Sequence, residues 1–233
     1  MSATGNDASA AQYRFPMVPL LVAVVVIVAV IVLISRHATT EATPGVVSAL
    51  SGKVETAGTD SAWEPATITQ ELAAGYKLHT GPESTALVQW PGATLLVLAE
   101  STVAIASSAK TGGDATLHID LQLNSGRIRF RAAPTEEHGV QVVATTGTIA
   151  LPVSEGTCSL SADASGRGTA TVLRGKALAG AAGGAMVPVT ERQALDLTSL
   201  DDPIRIRPIS ATEAAEWEKD APLLNGSAAG GKS

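Results

Sequence analysis

Cysteine is nearly absent from this 233-residue chain. Cys158 stands alone, which excludes an internal disulfide framework and any cysteine-rich zinc site. Basic charge is short as well: 16 Lys and Arg against 22 Asp and Glu leave a formal charge of −6. A chain without a basic field does not read as a nucleic-acid protein, which must neutralise phosphates. Aromatic residues make up 3% and charged residues 16%, so Ala, Val, Leu and Ile carry the 45% hydrophobic fraction. That fraction is too high for a chain disordered throughout. Catalytic signatures are missing too. There is no G-x-S-x-G elbow, no H-E-x-x-H pair and no G-x-G-x-x-G turn.

What the chain does have, first, is one long apolar run, and much of the positive mean hydropathy of +0.22 traces to it. No charged residue occurs from Phe15 to Ser35, and every position from Leu20 to Ile34 is Leu, Val, Ala or Ile. A bilayer-spanning helix needs ~20 predominantly apolar residues. The sequence predicts an uncleaved transmembrane helix over residues 17–35, behind a short cytoplasmic tail over residues 1–16. A cleaved signal peptide has a core of only ~7–15 residues, and Ser35-Arg36-His37-Ala38-Thr39-Thr40 is a poor cleavage signal. A buried core helix would have a polar face, and this run has none. Arg14 on one side and Arg36 on the other leave orientation open. Everything of globular composition follows residue 45, and a signal-anchor would hold that part outside the cytoplasm, on the cytoplasmic (inner) membrane.

Residues 36–45 read as a linker ending in Pro44-Gly45. Residues 46–209 read as β structure nearly throughout: short runs rich in Val, Ile, Thr and Leu, punctuated by Pro91-Gly92, Asn124-Ser125-Gly126 and Gly183-Gly184. Leu117, Ile119, Leu121 and Leu123 alternate with His118, Asp120 and Gln122, the pattern of a strand with one face on a core and one in water. The fold class is all-β. A glycine, a cation and a small or apolar residue recur as Gly52-Lys53-Val54, Gly126-Arg127-Ile128 and Gly175-Lys176-Ala177. Each triplet reads as a positive-φ glycine, a solvated cation and a residue entering the core, or as three unrelated turns. Ser210-Ala211-Thr212-Glu213 is a capping box for a short helix over residues 210–220, which Trp217 would pin against the β domain. Residues 221–233 read as a flexible tail.

Chemistry is thin along the chain. His118 and Asp120 share one strand face, but a metal site needs three or four converging groups. Cys158 lacks a nearby cation and reads as a buried small hydrophobe. Trp63 and Trp90 read as core plugs, with an exposed ligand platform as the alternative. No catalytic residue, cofactor or metal is nominated.

The motifs have an order. Gly52-Lys53-Val54 is followed by Trp63-Glu64-Pro65, then Gly75-Tyr76-Lys77-Leu78-His79-Thr80-Gly81 and Ser84-Thr85-Ala86. Gly92-Ala93-Thr94-Leu95-Leu96-Val97-Leu98, Ser101 and Leu123-Asn124-Ser125-Gly126-Arg127-Ile128 come next, the last as a hairpin. Val143-Ala144-Thr145-Thr146, Gly156-Thr157 and Leu173-Arg174-Gly175-Lys176-Ala177 complete the set. In this order they resemble the FecR-type extracytoplasmic domain family, over about residues 46–197. Gly52, Trp63, Pro65, Gly81, Gly126, Gly156, Thr157 and Gly175 are the matching signature residues. Tyr76, Gly147 and Glu155 depart from it, standing where the family often has an acid, a proline and an arginine.

The resemblance implies a compact, partly solenoid-like arrangement of short strands, or a sandwich, on the outer side of a membrane. The family's regulators are transmembrane anti-sigma factors. Sixteen residues before the apolar core are too few to grip a sigma factor, so that role is not expected to transfer intact. The function expected is a non-catalytic sensory or interaction domain in envelope signalling, with a structural envelope scaffold or a glycan-binding protein as alternatives. Expected partners are another envelope or membrane protein, or peptidoglycan or another glycan, with no nucleic acid.

Overall fold

Alternating and β-branched runs form strands, and Gly, Pro and Asn turns separate them. The computed structural model describes residues 40–111, 116–165, 167–200 and 203–225. In chain order the strands are β1 (Thr40–Ala42), β2 (Gly45–Ser51), β3 (Val54–Ala57), β4 (Glu64–Pro65), β5 (Glu71–Leu72), β6 (Lys77–Thr80), β7 (Thr85–Trp90), β8 (Ala93–Val97) and β9 (Thr102–Thr111). They continue with β10 (Thr116–Ala132), β11 (Val140–Thr145), β12 (Ile149–Val153), β13 (Gly156–Ala162), β14 (Gly168–Ala181), β15 (Met186–Thr190), β16 (Gln193–Leu197) and β17 (Arg205–Pro208), before helix α1 (Ala211–Leu224).

Two sheets share these strands. The first runs β4–β3–β6–β9–β10–β11–β12–β14–β15, with β1 on the far end of β9. The second runs β2–β7–β8–β10–β13–β14–β16–β17, with β5 beside β2. The first half of β10 and the second half of β14 belong to the first sheet, and their other halves to the second. Through them the pairing β10–β11–β12–β14–β13–β10 closes on itself as a barrel. The β10–β11 ladder is parallel and the others are antiparallel.

The crossings between sheets fall at three glycines. Gly52 stands between β2 and β3, Gly126 inside β10 and Gly175 inside β14, with φ of +73°, +90° and +85°. Only glycine takes this region without strain, so it is where a strand can turn a corner and keep pairing. After each comes an exposed cation (Lys53, Arg127, Lys176) and then a buried residue (Val54, Ile128, Ala177). At two corners a buried serine completes the turn. Ser84 Oγ accepts the Lys53 N–H at 2.9 Å, and Ser101 Oγ accepts the Arg127 N–H at 2.8 Å. Both serines follow a glutamate at positive φ, Glu83 and Glu100.

One core lies between the sheets. Leu117, Ile119, Leu121 and Leu123 from the first meet Ile128, Phe130, Leu160 and Leu195 from the second. A smaller cluster on the outer side of the second sheet joins Leu87 and Leu96 to Trp217 and Leu224 of α1. The middle of the second sheet is therefore buried on both faces. Among the described residues no helix covers the first.

Several expectations are corrected. The fold was expected to carry a transmembrane helix over residues 17–35. That span lies outside the described residues, and no helix among them is long and apolar enough to cross a membrane. The one helix described there, α1, has 14 residues and an exposed acidic and basic face. In place of a partly solenoid-like stack of short strands, two sheets close through strands of 17 and 14 residues. Residues 40–42, expected in the linker, form β1 and pair with β9. Leu123–Ile128, expected as a hairpin, is a corner, because the strand beyond Gly126 pairs with β8 and β13 and does not fold back on itself. Helix α1 runs past residue 220 to Leu224, carrying Pro222 in its last turn.

Candidate functional site: an open sheet face and a corner groove

The signature residues separate into three groups. Gly52, Gly81 and Gly126 meet at one end of the body. The Gly81 N–H donates to Lys53 O at 2.9 Å, and Gly81 O accepts the N–H groups of Ser84 and Glu100 at 3.3 and 3.1 Å. Buried Thr80 accepts the Ser101 N–H at 3.1 Å and donates its hydroxyl to Leu98 O. This end is a sealed hydrogen-bond network, as the cost of leaving buried polar groups unpaired requires, and its role is structural. The signal missed in the sequence was the repeated Glu83-Ser84-Thr85 and Glu100-Ser101-Thr102.

Trp63 and Pro65 form the second group, at the β4 edge of the first sheet. Trp90 is buried as a core plug, but Trp63 is not: it is 44% exposed, its ring set edge-on to His79 at 5.9 Å. The His79 ring nitrogen Nδ1 is within 3.0 Å of the Thr102 hydroxyl. Farther along this face His118, Asp120 and Gln122 point outward beside Gln141, Val143 and Thr145 of β11, all at least part-exposed. Asp120 accepts the Ser107 hydroxyl. Among the described residues no three His, Cys, Asp or Glu side chains gather as a metal site. Cys158 faces the core, fully buried, where burial pushes its thiol up to about 12.

Gly156, Thr157 and Gly175 form the third group, at the opposite corner. Gly156 pairs with Gly175 and Thr157 with Arg174. The two glycines are back to back, since a Cβ on Gly156 would meet Arg174 O at 2.6 Å. The residue facing Gly175 is a second glycine and brings no side chain, and a groove of about 1250 Å³ opens beside this corner. One wall is apolar, from Pro152, Leu178 and Pro188, and Leu178 is 49% exposed. Arg131 and Arg174 line the groove from the second sheet and Lys176 from beside Leu178, with Glu155 as the only acid in the lining. The Arg131 guanidinium donates to Asn225 Oδ1 at 3.1 Å, which ties the second-sheet side to the end of α1.

Helix α1 is held on the second sheet by the outward arginines of β10. Arg127 pairs with Glu216 at 3.0 Å. Arg129, 3% exposed, donates to Glu216 O at 3.0 Å and to Asp220, and its Cζ lies 4.8 Å from the Trp217 ring centroid. Burial, reinforced by Arg127 and partly offset by Glu216, lowers the Arg129 pKa to about 10. At the start of the helix the capping box closes, with the Glu213 N–H donating to Ser210 Oγ and the Ser210 N–H to Glu213. Arg207 forks onto Glu213 at 2.8 and 2.9 Å and reaches Asp196 at 2.7 Å. Hydrogen bonds from Arg207 hold the Glu213 carboxyl down at about 2. These contacts fix the helix and leave Arg174 and Lys176 with no ion pair among the described residues.

No family model and no curated protein matches the chain. Among solved structures it is similar to a "putative anti-sigma factor" from Parabacteroides distasonis ATCC 8503 solved at 2.50 Å. The identity is 11% and the TM-score 0.47, over 61% of this chain and 63% of that one. A second structure under the same description, at 1.65 Å, is 10% identical with TM-score 0.47, over 64% of this chain and 74% of that one. The chain thus spans less than two thirds of the first of these neighbours.

Proposed function

We propose that this chain carries a FecR-type domain that acts as a non-catalytic interaction module in envelope signalling, binding another envelope protein outside the cytoplasm. The observation that supports it is the asymmetry of the two sheets. The middle of the second sheet's outer face is covered by α1 and its arginine contacts, whereas the first sheet's outer face and the adjoining groove carry part-exposed apolar and charged side chains with no helix over them among the described residues. The order of sequence motifs supports the family and the compartment.

The test is photo-crosslinking in living cells from residues replaced on the open face, His118 and Gln141, against controls on the covered face. Crosslinks to one defined protein from the open face, together with a transcriptional change on deletion, are expected. Equal crosslinking from both faces and no transcriptional change would refute the reading. Protease protection in spheroplasts tests the compartment, and a domain inaccessible from outside would overturn it. A second reading, glycan binding, has one observation behind it: the exposed Trp63 ring beside His79. Aromatic rings of this kind offer a sugar a flat apolar face. Retention on peptidoglycan that is lost in Trp63→Ala would favour it.

A further inference from the structure

We infer that the groove at the Gly156–Gly175 corner is the docking site for an extended acidic segment of a partner protein, with apolar residues interleaved among its acids. The inference deepens the interaction reading above and rests on it.

Charge comes first. The chain is acidic overall, at −6, yet this groove collects three cations against one acid. Two of the cations, Arg174 and Lys176, are exposed and hold no ion pair among the described residues. A local positive field on an acidic body focuses an anionic ligand onto that one place.

Spacing comes second. Arg131 pairs with Thr157 across β10–β13, and Thr157 with Arg174 across β13–β14. Arg131 and Arg174 are thus two strand spacings apart, ~9–10 Å, and Lys176 follows Arg174 across the Gly175 corner. An extended peptide advances ~3.3 Å per residue, so acids at every second residue, ~7 Å apart, come within side-chain reach of Arg131 and Arg174 in turn.

The apolar wall decides the ligand class. Pro152, Leu178 and Pro188 give the intervening side chains a surface to cover. A lone phosphate or carboxylate is far smaller than a 1250 Å³ groove. No aromatic side chain lines it to stack a sugar ring. The groove therefore fits a peptide in which Glu or Asp alternates with Val, Leu or Ile.

The experiment uses the full-length chain and fluorescein-labelled decapeptides of alternating Glu and Val, Gln and Val, or Lys and Val, followed by fluorescence anisotropy. The Glu–Val peptide is expected to bind, more weakly at 300 mM than at 50 mM salt, and the other two are not. Arg174→Glu with Lys176→Glu should weaken binding at least tenfold with an unchanged melting temperature. Arg174→Gln with Lys176→Gln should weaken it less, and Leu178→Asp should also reduce it. Equal binding of the Glu–Val and Gln–Val peptides, no binding at all, or indifference to the double charge reversal would overturn the proposal. So would competition by inorganic polyphosphate as effective as that by unlabelled peptide, since the site would then read charge alone. Crosslinks from His118, which lies outside the groove, that persist while the peptides fail would sink this groove and leave the interaction reading standing.

Discussion

Replacing single glycines by alanine separates two costs that a corner carries. Gly183 and Gly126 both have positive φ, +79° and +90°. An alanine Cβ at 183 meets nothing within 4 Å, whereas at 126 it meets Ser101 Cα at 2.5 Å and Glu100 O at 2.7 Å. Gly183→Ala therefore bears only the left-handed backbone cost of ~1–2 kcal/mol, offset by ~0.4–1 kcal/mol from the stiffer unfolded chain. Its net effect should be about 0.5–1 kcal/mol. At Gly126 the clashing atoms are backbone and cannot rotate away. Relief must move the corner off Ser101, whose hydroxyl accepts the Arg127 N–H at 2.8 Å and donates to Arg127 O at 3.1 Å. Losing those two bonds, at ~0.5–1.5 kcal/mol each and more where a buried group is left unpaired, brings the total to about 3 kcal/mol. Urea unfolding followed by tryptophan fluorescence measures both variants. Should Gly126→Ala fall within 0.5 kcal/mol of Gly183→Ala, the corner is not the rigid device inferred here. The double variant Gly126→Ala with Ser101→Ala should not recover, because the nearest backbone atom at the clash is the serine Cα.

Trp217→Ala removes a side chain 3% exposed that packs with Leu87, Leu96 and Leu224 under Arg129. It should cost α1 about 3–5 kcal/mol of docking, seen as faster amide exchange confined to residues 211–224, and an equal loss in β10 would show that the helix is not a separable unit. Glu213 has its carboxyl lowered from 4.5 to about 2 by Arg207, so its stabilisation is present above pH 4.5 and lost as pH falls towards 2. Glu213→Gln should flatten the acid limb of the stability profile in that window by about 1 kcal/mol or less, since the pair is partly solvated, and an unchanged profile would refute the linkage. Cys158, with its thiol pushed up to about 12, should resist iodoacetamide at pH 8 in the native chain and react fully in urea. Rapid native labelling would mean that the core opens at β13.

Much of the fold was legible where one face of a strand meets water. Leu117 to Leu123 alternates strictly in sequence, and its four leucine and isoleucine side chains are all buried while His118, Asp120 and Gln122 face outward. The near-continuous apolar runs of β7 and β8 looked different for a physical reason: α1 covers their second face, so Leu87 and Leu96 are buried as well as Val88 and Leu95. The corner triplets could be read as positive-φ turns, but not as crossings. Asn-Ser-Gly serves a hairpin and a corner equally well. The difference lies in whether the next residues pair with the preceding strand or with one far away, and for Ile128 the partners are Val97 and Leu160. Trp63 was misjudged because its neighbours in sequence are loop residues, and its contact is His79, on a strand beyond the next two turns.

The candidate groove was illegible for a related reason. Its walls come from β10, the β12–β13 turn, the middle of β14 and β15, and no local pattern announces that Arg131, Lys176 and Leu178 share a surface. The three corner triplets, alike in sequence, nevertheless differ in what stands behind them. At Gly52 and Gly126 a buried serine takes the following N–H, and the hydroxyl donates in turn to a carbonyl, Pro82 O or Ala99 O. At Gly175 the facing residue is Gly156, which brings no side chain at all. The same backbone device therefore yields two corners filled by serine hydroxyls and one closed by the backbone of a second glycine, with Arg174, Lys176 and Glu155 around it. Under the docking proposal, a segment lying at this third corner meets a facing glycine with no side chain to displace, whereas at the other two the serine hydroxyls already occupy the turn.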